Sequence, residues 1–434
     1  RKITLPETMG TAKTAHIGNM KILIISTFDR EGGAAIAAFR LHQSLLECGV
    51  DSRMLVQFKK SRDRSVLGPN SRLDKFIALI KPKIDNFPLA RYSNVKNLFS
   101  TNWVYSKTNL SLINKIKPDI VHIHWTNFGM FRIEDLAKIN APLILSMHDN
   151  WTFTGGCHYF GTCEKYKGAC GKCPLLNSNR ENDLSHIVFK RKKNTYSKID
   201  NITFIGLSQW MMKCGKESSL LRDKTVINLP NTINTNKFKV LNKTFCRDIW
   251  NLPYEKTLIL FGAINVMNDP RKGINKLLSA LSLIKESNIE LVIFGMESTE
   301  KPLQSFMKEN YIGQISDESS LVSLYNACDV TAVPSLYENL SNVIMESLSC
   351  GTPVVAFDIG GNSDMIIHLQ NGYLANPYDT KDLATGIEWV IKNNFAENLG
   401  NNAREKINFE FSYKIVSTKY IDLYKSILNS NSNS

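Results

Sequence analysis

The sequence has no apolar run approaching the ~18 to 20 residues that a membrane-spanning helix requires, which excludes an integral helical membrane protein. Its first nineteen residues also lack the apolar stretch of about 7 to 15 residues that marks a secretory signal, and a strand pattern begins directly after Met20. Residues 1–19 therefore read as a leader set ahead of the fold. Acidic residues are scarce in the front half: residues 20–237 hold 33 basic and 17 acidic side chains, whereas residues 238–434 hold 17 and 22. Such an excess, on a chain of net charge +13, points to an anionic partner such as lipid headgroups or a phosphorylated substrate. Aromatics are sparse among the basic runs, which counts against a nucleic-acid surface. Nine cysteines, an odd number, together with the missing export signal place the chain in a reducing cytoplasm with most thiols free.

What is present is an ordinary globular composition, 43% hydrophobic and 21% charged over 434 residues, enough for two or three domains and incompatible with intrinsic disorder. From Met20 onward short β-rich runs alternate with helical patterns, the signature of βαβ units around a parallel sheet. Strands are expected at 21–26, 53–57, 119–124, 142–147, 203–207 and 225–228, with helices at 33–48, 132–139, 185–200 and 209–222. After the polar stretch 230–237 a second series places strands at 257–262, 290–295, 330–334 and 353–357. Its helices fall at 273–287, 319–328, 341–350, 380–394 and 396–409. The reading is an α/β protein with two doubly wound, Rossmann-like domains, 20–236 and 237–411, facing a central cleft. An amphipathic segment 412–428 and a polar tail 429–434 that cannot support packing follow. Ligands of such sheets sit beyond the carboxyl ends of the strands, so the chemistry belongs in the strand-to-helix loops.

Three loops carry it. The first ends in Gly32 and Gly33 at a helix start, where paired glycines permit close backbone approach and the helix amino terminus attracts phosphate. The second leaves a strand at Gly262 and reaches Arg271, Lys272 and Gly273; adjacent cations at a helix start suit a diphosphate, Arg gripping two oxygens and Lys acting as a mobile charge. The third runs from Pro334 through Glu338 into a helix carrying Glu346, followed by Gly351-Thr352-Pro353 and a strand. A cleft carboxylate there can accept hydrogen bonds from sugar or ribose hydroxyls.

Glu338 and Glu346 form a Glu-x7-Glu motif. With Arg271-Lys272-Gly273, Gly32-Gly33, the Tyr325 to Asp329 segment and Gly351-Thr-Pro-Val-Val-Ala356, the chain resembles the retaining GT-B glycosyltransferases of family 4 over residues 20–428. The resemblance implies a nucleotide-sugar donor, a UDP- or GDP-sugar, and a saccharide or lipid-diphosphate-linked acceptor bound by the first domain. It also implies that Glu338 contacts donor hydroxyls, Glu346 holds the ribose, and Arg271, Lys272 and the amides of Gly32 and Gly33 bind the diphosphate. Gly262 and the amides of Asn339, Leu340 and Ser341 line the same site. Where many members carry Gly or Pro after the first Glu, this chain has Asn339. His148, at a strand end, is similar to the family histidine that faces the donor sugar near the reacting carbon. Asp149 beside it stands as a candidate for ordering the acceptor, while His122 and His124 read as packing or cleft-lining residues.

Transfer with retained anomeric configuration is the implied reaction, with His148, Glu338, Arg271 and Lys272 as its principal groups. The leaving diphosphate would be stabilised by Arg271, Lys272 and helix-end amides. The sequence contains no Asp-x-Asp motif, so no catalytic divalent metal is expected. Synthesis of bacterial surface polysaccharide, capsule or lipopolysaccharide, is the setting the resemblance implies, in the cytoplasm or peripherally at the inner membrane face. The run Lys190 to Lys193 reads either as a contact for anionic lipid or as a solvated helix face.

Cys157, Cys163, Cys170 and Cys173 cluster in a Gly-rich loop, 155–174, with spacing C-x5-C-x6-C-x2-C. A structural zinc is the favoured reading, with two disulfides or free thiols as alternatives. An epimerase or phosphorylase on the same scaffold, and a zinc-containing nucleic-acid-binding protein, are the competing functions.

Overall fold

Runs of β-branched and aliphatic residues a few positions long, buried on both faces, can pair only in the interior of a sheet covered by helices. In the first half these are β1 Lys21–Phe28, β2 Asp51–Phe58, the short β3 Val66–Leu67, β4 Ile120–Ile123, β5 Leu143–Met147, β6 Ile202–Gly206 and β7 Thr225–Asn228. They form a parallel sheet in the order β3-β2-β1-β4-β5-β6-β7. The second sheet is built from β8 Thr257–Gly262, β9 Ile289–Phe294, β10 Glu309–Gly313, β11 Val330–Val333, β12 Val354–Phe357 and β13 Gly372–Ala375, in the order β10-β9-β8-β11-β12-β13. The computed structural model describes residues 20–92, 98–262, 269–285, 288–296, 303, 307–393 and 398–432; the expected leader, 1–19, lies outside them.

Helices cover both sheets: α1 Gly33–Glu47, α2 Arg72–Asp85, α3 Lys107–Ile116, α4 Leu184–Tyr196, α5 Gln209–Glu217, α6 Lys243–Ile249 and α7 Ile274–Leu281. Then follow α8 Glu318–Ala327, α9 Asn342–Ser349, α10 Asn362–Met365, α11 Thr380–Asn393, α12 Leu399–Glu410 and α13 Tyr413–Ser432. The segment expected as a helix at 132–139 is a 3-10 helix, Ile133–Lys138, and the helix expected at 209–222 stops at Glu217, where Ser218 adopts extended backbone. The polar tail is also corrected. Helix α13 continues to Ser432, with the Ser430 hydroxyl donating back to the Ile427 carbonyl, so Asn and Ser here extend the last turns instead of ending them.

The two halves are joined by more than a hinge. One apolar core combines Ile22, Ile24 and Phe39 of the first half with Leu258, Ile344 and Leu348 of the second, and Val416, Tyr420 and Tyr424 of α13 complete it. α13 packs on α1, and the Tyr424 hydroxyl lies 2.8 Å from Nδ1 of His122 on β4. Phe411 and Tyr413 exchange backbone hydrogen bonds with Ile233, tying the last helix to the crossover segment. Among the described residues no helix is long and apolar enough to cross a membrane.

Candidate functional site

In both sheets the strand order reverses at one place, between β1 and β4 and between β8 and β11, and there the helices of adjacent crossovers diverge to leave a crevice. The two crevices face each other. Between them lies a cavity of about 670 Å³ whose walls come from the loops after β1, β4, β5, β8 and β11. Gly32, Gly33, His148, Gly262, Arg271, Lys272, Glu338, Asn339, Leu340, Ser341 and Glu346 all line it, so the residues singled out from sequence converge on one space.

Two helix amino termini, one from each half, open on this cavity. Neither Gly32 ahead of α1 nor Ser341 ahead of α9 caps its helix with a side-chain hydrogen bond, so the first-turn amides keep their capacity for an anion. Gly32 has φ 85°, the left-handed region that glycine enters without strain. The Asn342 amide donates to the Gly33 carbonyl at 3.1 Å, holding the two helix starts together.

Arg271 and Lys272 stand at the end of a 3-10 turn, each against a carboxylate. Arg271 grips Asp269 through Nε and Nη2, both at 2.8 Å, and its guanidinium lies 3.8 Å from the centre of the Tyr159 ring. Burial pulls the Arg271 pKa down, but Asp269 and Tyr159 outweigh it and the net shift is upward. Lys272 Nζ donates to Glu338 Oε1 at 2.9 Å, and that negative charge holds the ammonium pKa up. Ser335 donates to the same carboxylate oxygen at 2.9 Å.

Glu346, expected to hold a ribose, is only 5% exposed. Its Oε1 accepts from Arg40 Nη2 at 2.7 Å and its Oε2 from the Tyr325 hydroxyl at 2.9 Å. Arg40 sits on α1 in the first half and also pairs with Glu318 at 3.1 Å. The sequence reading missed Arg40, because nothing local in Ala37-Ala-Phe-Arg40 announces a partner 306 positions away.

His148 lies at the head of a chain of imidazoles. Its Nε2 is 2.8 Å from His124 Nδ1, and the His122 ring lies tilted with its centre 4.4 Å from that of His124 and meets Ser146 Oγ at 2.8 Å. Burial pushes His148 down to about 4 and His122 to about 3, so the chain is neutral near pH 7. His124, expected to pack or line the cleft, is buried and packs between the rings of His122 and His148, and its Nδ1 contact also orients His148. Asp149 lines the cavity and is already engaged: its oxygens receive His158 Nδ1 at 2.6 Å, Trp125 Nε1 at 2.8 Å and the Trp151 amide at 2.9 Å.

Aromatic side chains that sequence reading did not connect complete the first-domain wall. Phe28, Trp125 and Phe128 line the cavity, with Trp125 and Phe128 edge to face at 4.9 Å. Opposite them, Tyr337 packs edge-on to Tyr159 at 5.2 Å and hydrogen-bonds Asn150. Asn339 crosses the cleft, donating to the carbonyls of Met147 at 2.8 Å and His148 at 3.1 Å and accepting from Ser208 at 2.8 Å.

The structural zinc expected on Cys157, Cys163, Cys170 and Cys173 is not supported. All four are free thiols, and among the described residues no group of three or more His, Cys, Asp or Glu is placed to hold a metal. Two of them belong to different cores: Cys170 packs with Phe153 and Tyr166, while Cys173 packs with Trp151 and Leu184. A buried ammonium lies near two of the four, Cys157 and Cys170. Lys192 donates to the carbonyls of Trp151 and Thr154, stands 3.6 Å from the Trp151 ring centre, and is pushed by burial down to about 7. Lys190 to Lys193 is accordingly not an open basic face, since Lys192 is buried and Arg191 is paired with Glu134 at 2.6 Å.

This fold is the two-domain GT-B arrangement of glycosyltransferases. Residues 248–406 match the family described as Glycosyl transferases group 1. The chain is 24% identical over 358 residues to an uncharacterized glycosyltransferase of Methanocaldococcus jannaschii, MJ1607, covering 74% of this chain and 86% of that one. It is 26% identical over 357 residues to WcaC of Escherichia coli, named for colanic acid biosynthesis, covering 78% and 83%. Among solved structures it resembles sucrose-phosphate synthase of Thermosynechococcus elongatus, with TM-score 0.68 at 19% identity over 95% of this chain and all of the other. Anabaena HepE in complex with UDP and glucose follows with TM-score 0.64 at 14% identity over 94% of this chain and 100% of that one. These structural likenesses speak to the fold.

Proposed function

We infer that the protein is a glycosyltransferase that moves a sugar from a nucleotide-sugar donor to a glycan or lipid-linked acceptor with retention of anomeric configuration, in bacterial surface polysaccharide synthesis. One observation carries this reading: a single cavity at the facing switch points gathers Arg271, Lys272, Glu338 and the starts of α1 and α9. The family match over the second half and the naming of WcaC for colanic acid support it. HepE, of similar fold, was solved with UDP and with glucose, which favours a UDP-sugar donor.

In this reading the donor diphosphate takes Arg271 and Lys272 from Asp269 and Glu338, and the helix-start amides share its charge as the glycosidic bond breaks. The freed Glu338 then accepts from sugar hydroxyls, and His148, held neutral, faces the reacting carbon. The acceptor hydroxyl attacks from the face the diphosphate leaves, and a phosphate oxygen receives its proton. The positive charge that offsets the leaving diphosphate comes from side chains, so this reading requires no divalent metal. Gly295, Gln314 and Ile315 line the cavity beside Phe294 and form the wall against which the base would lie. The acceptor half, domain 20–236, lies toward Trp125 and Phe128, and the protein acts in the cytoplasm at the inner face of the membrane.

Calorimetry and thermal shift against UDP, GDP, ADP and their sugar conjugates test the donor. One nucleotide should stabilise the wild type by roughly 2.7 kcal/mol at 100 times its Kd. The Lys272→Ala variant should lose most of that shift. If no nucleotide binds, the donor reading is wrong; an inverted product anomer, seen by NMR, would overturn retention.

A further inference from the structure

Helix α2 is amphipathic the wrong way round. The face it turns to the protein holds the buried Ala78 and Asp85 and the half-buried Asp74 and Lys81. Asp85 accepts from the Trp103 amide at 3.0 Å, and Lys81 donates to Ser106 at 3.4 Å. Leu73, Ile77, Ile80 and Ile84 recur at the i, i+4, i+7 and i+11 spacing of one helical stripe, with Phe76 beside them and Leu79 on the adjoining outer face. The apolar surface is open to solvent except at the half-buried Ile80: Leu73 is 66% exposed, Phe76 59%, Ile77 43%, Leu79 65% and Ile84 45%. Phe87, 68% exposed, continues the apolar surface past the helix end, and Trp103 packs its indole N–H onto the Ile84 carbonyl at its edge.

A stripe from Leu73 to Ile84 is about 16 Å long, and water-facing apolar surface on this scale marks an interaction site. Its rim decides what it meets. Arg72, Lys75, Lys83 and Arg91 are all exposed around it, and of the two acids between residues 72 and 107, Asp85 is buried and Asp74 is engaged by the Ser71 hydroxyl. The surface also leads to the cleft. Gly129 lies against Lys81 of α2, and the adjacent Phe128, together with the partly exposed Leu98, lines the central cavity.

We propose that the outer face of α2, with Phe87, seats the protein on an anionic lipid bilayer, the apolar stripe entering the acyl boundary and Arg72, Lys75, Lys83 and Arg91 meeting the headgroup charge. This deepens the membrane part of the proposed function and places the mouth of the acceptor side beside the lipid. Apolar insertion and headgroup charge act together in such helices, so both should be needed.

The test is sedimentation of the full chain with phosphatidylcholine vesicles, with and without phosphatidylglycerol, at low and high salt. Binding should require phosphatidylglycerol and weaken with salt. It should fall at least about tenfold in a Leu73→Ser, Phe76→Ser double variant and in a Lys75→Glu, Lys83→Glu double variant. Lys190→Glu should leave it unchanged. A nucleotide-induced thermal shift equal to wild type shows that each variant is folded. No phosphatidylglycerol-dependent sedimentation, or sedimentation indifferent to both double variants, overturns the proposal. So does a self-association abolished by Leu73→Ser, Phe76→Ser without vesicle binding, which assigns the face to a second copy of the chain. Nucleotide binding that persists while vesicle binding fails sinks the surface and leaves the donor reading standing.

Discussion

Arg40 of α1 and Glu346 of α9 form a 2.7 Å ion pair that crosses between the two halves of the molecule, with both side chains buried. The attraction is sustained by the Tyr325 hydroxyl on the other carboxylate oxygen and by the Phe238 ring 4.8 Å from the guanidinium. Glu346 therefore couples the cavity wall to the packing of the halves. Replacing Arg40 by Met leaves a buried carboxylate without its cation, and breaking such a pair costs about 3 to 5 kcal/mol. Chemical denaturation of Arg40→Met should show a loss of that order. The double variant Arg40→Met, Glu346→Gln should recover a large part of it, because the uncompensated charge is then gone.

Lys272 and Glu338 exchange a 2.9 Å contact across the same cavity. Removing the lysine deprives the leaving diphosphate of a positive charge, an effect worth roughly 10² to 10³ in turnover. Lys272→Ala should therefore lower kcat by that factor in a transferase assay, and Lys272→Arg should restore only part of it, since a planar fork does not replace a point charge at the same position. An unchanged kcat in Lys272→Ala would remove this lysine from the reaction.

How far the sequence could be read follows from the range of each interaction. Arg271, Lys272 and Glu338 were legible because a strand, a loop and a helix start lie within a few residues of one another. Arg40 with Glu346, and His124 with His148, were not, because those partners meet only through the sheet order. Strand β10, Glu309–Gly313, escaped notice as a half-exposed edge of polar residues without the apolar run that marks interior strands. Helix α2 escaped because its periodicity serves the solvent side. The cysteine loop shows how little spacing alone decides: it describes thiols along the chain, whereas burial against Phe153, Tyr166 and Trp151 fixes where Cys170 and Cys173 sit.

Acid should destabilise the protein through its buried imidazoles. His148 and His42 are pushed by burial to about 4, and His122 to about 3, below the ordinary value of 6.5. Between pH 6.5 and 4 the unfolded chain binds protons that these folded-state groups refuse, so stability rises with pH across that window and is lost as pH falls. Each group contributes a slope of up to about 1.4 kcal/mol per pH unit. Midpoints of thermal unfolding should fall steadily from pH 6.5 to 4, and His148→Gln should flatten the decline. A flat profile in the wild type would mean that these histidines are accessible to protons.

Glycine 360 tests whether the Glu338 loop is set by backbone geometry. Its φ is +54°, and a Cβ added there would lie 1.7 Å from the Glu338 carbonyl oxygen, a backbone atom that no rotamer change can move aside. Gly360→Ala must therefore displace the loop that presents Glu338 to Lys272. Gly313 makes the comparison: its φ is +80°, but a Cβ there meets nothing within 4 Å. Gly313→Ala carries only the cost of a left-handed non-glycine residue, about 1 to 2 kcal/mol. Gly360→Ala carries a similar strain with the clash added, and it alone should weaken nucleotide-sugar binding in calorimetry by tenfold or more, roughly 1.4 kcal/mol. Equal donor affinity in the two variants would show that the Glu338 loop is positioned by something other than its contact with Gly360.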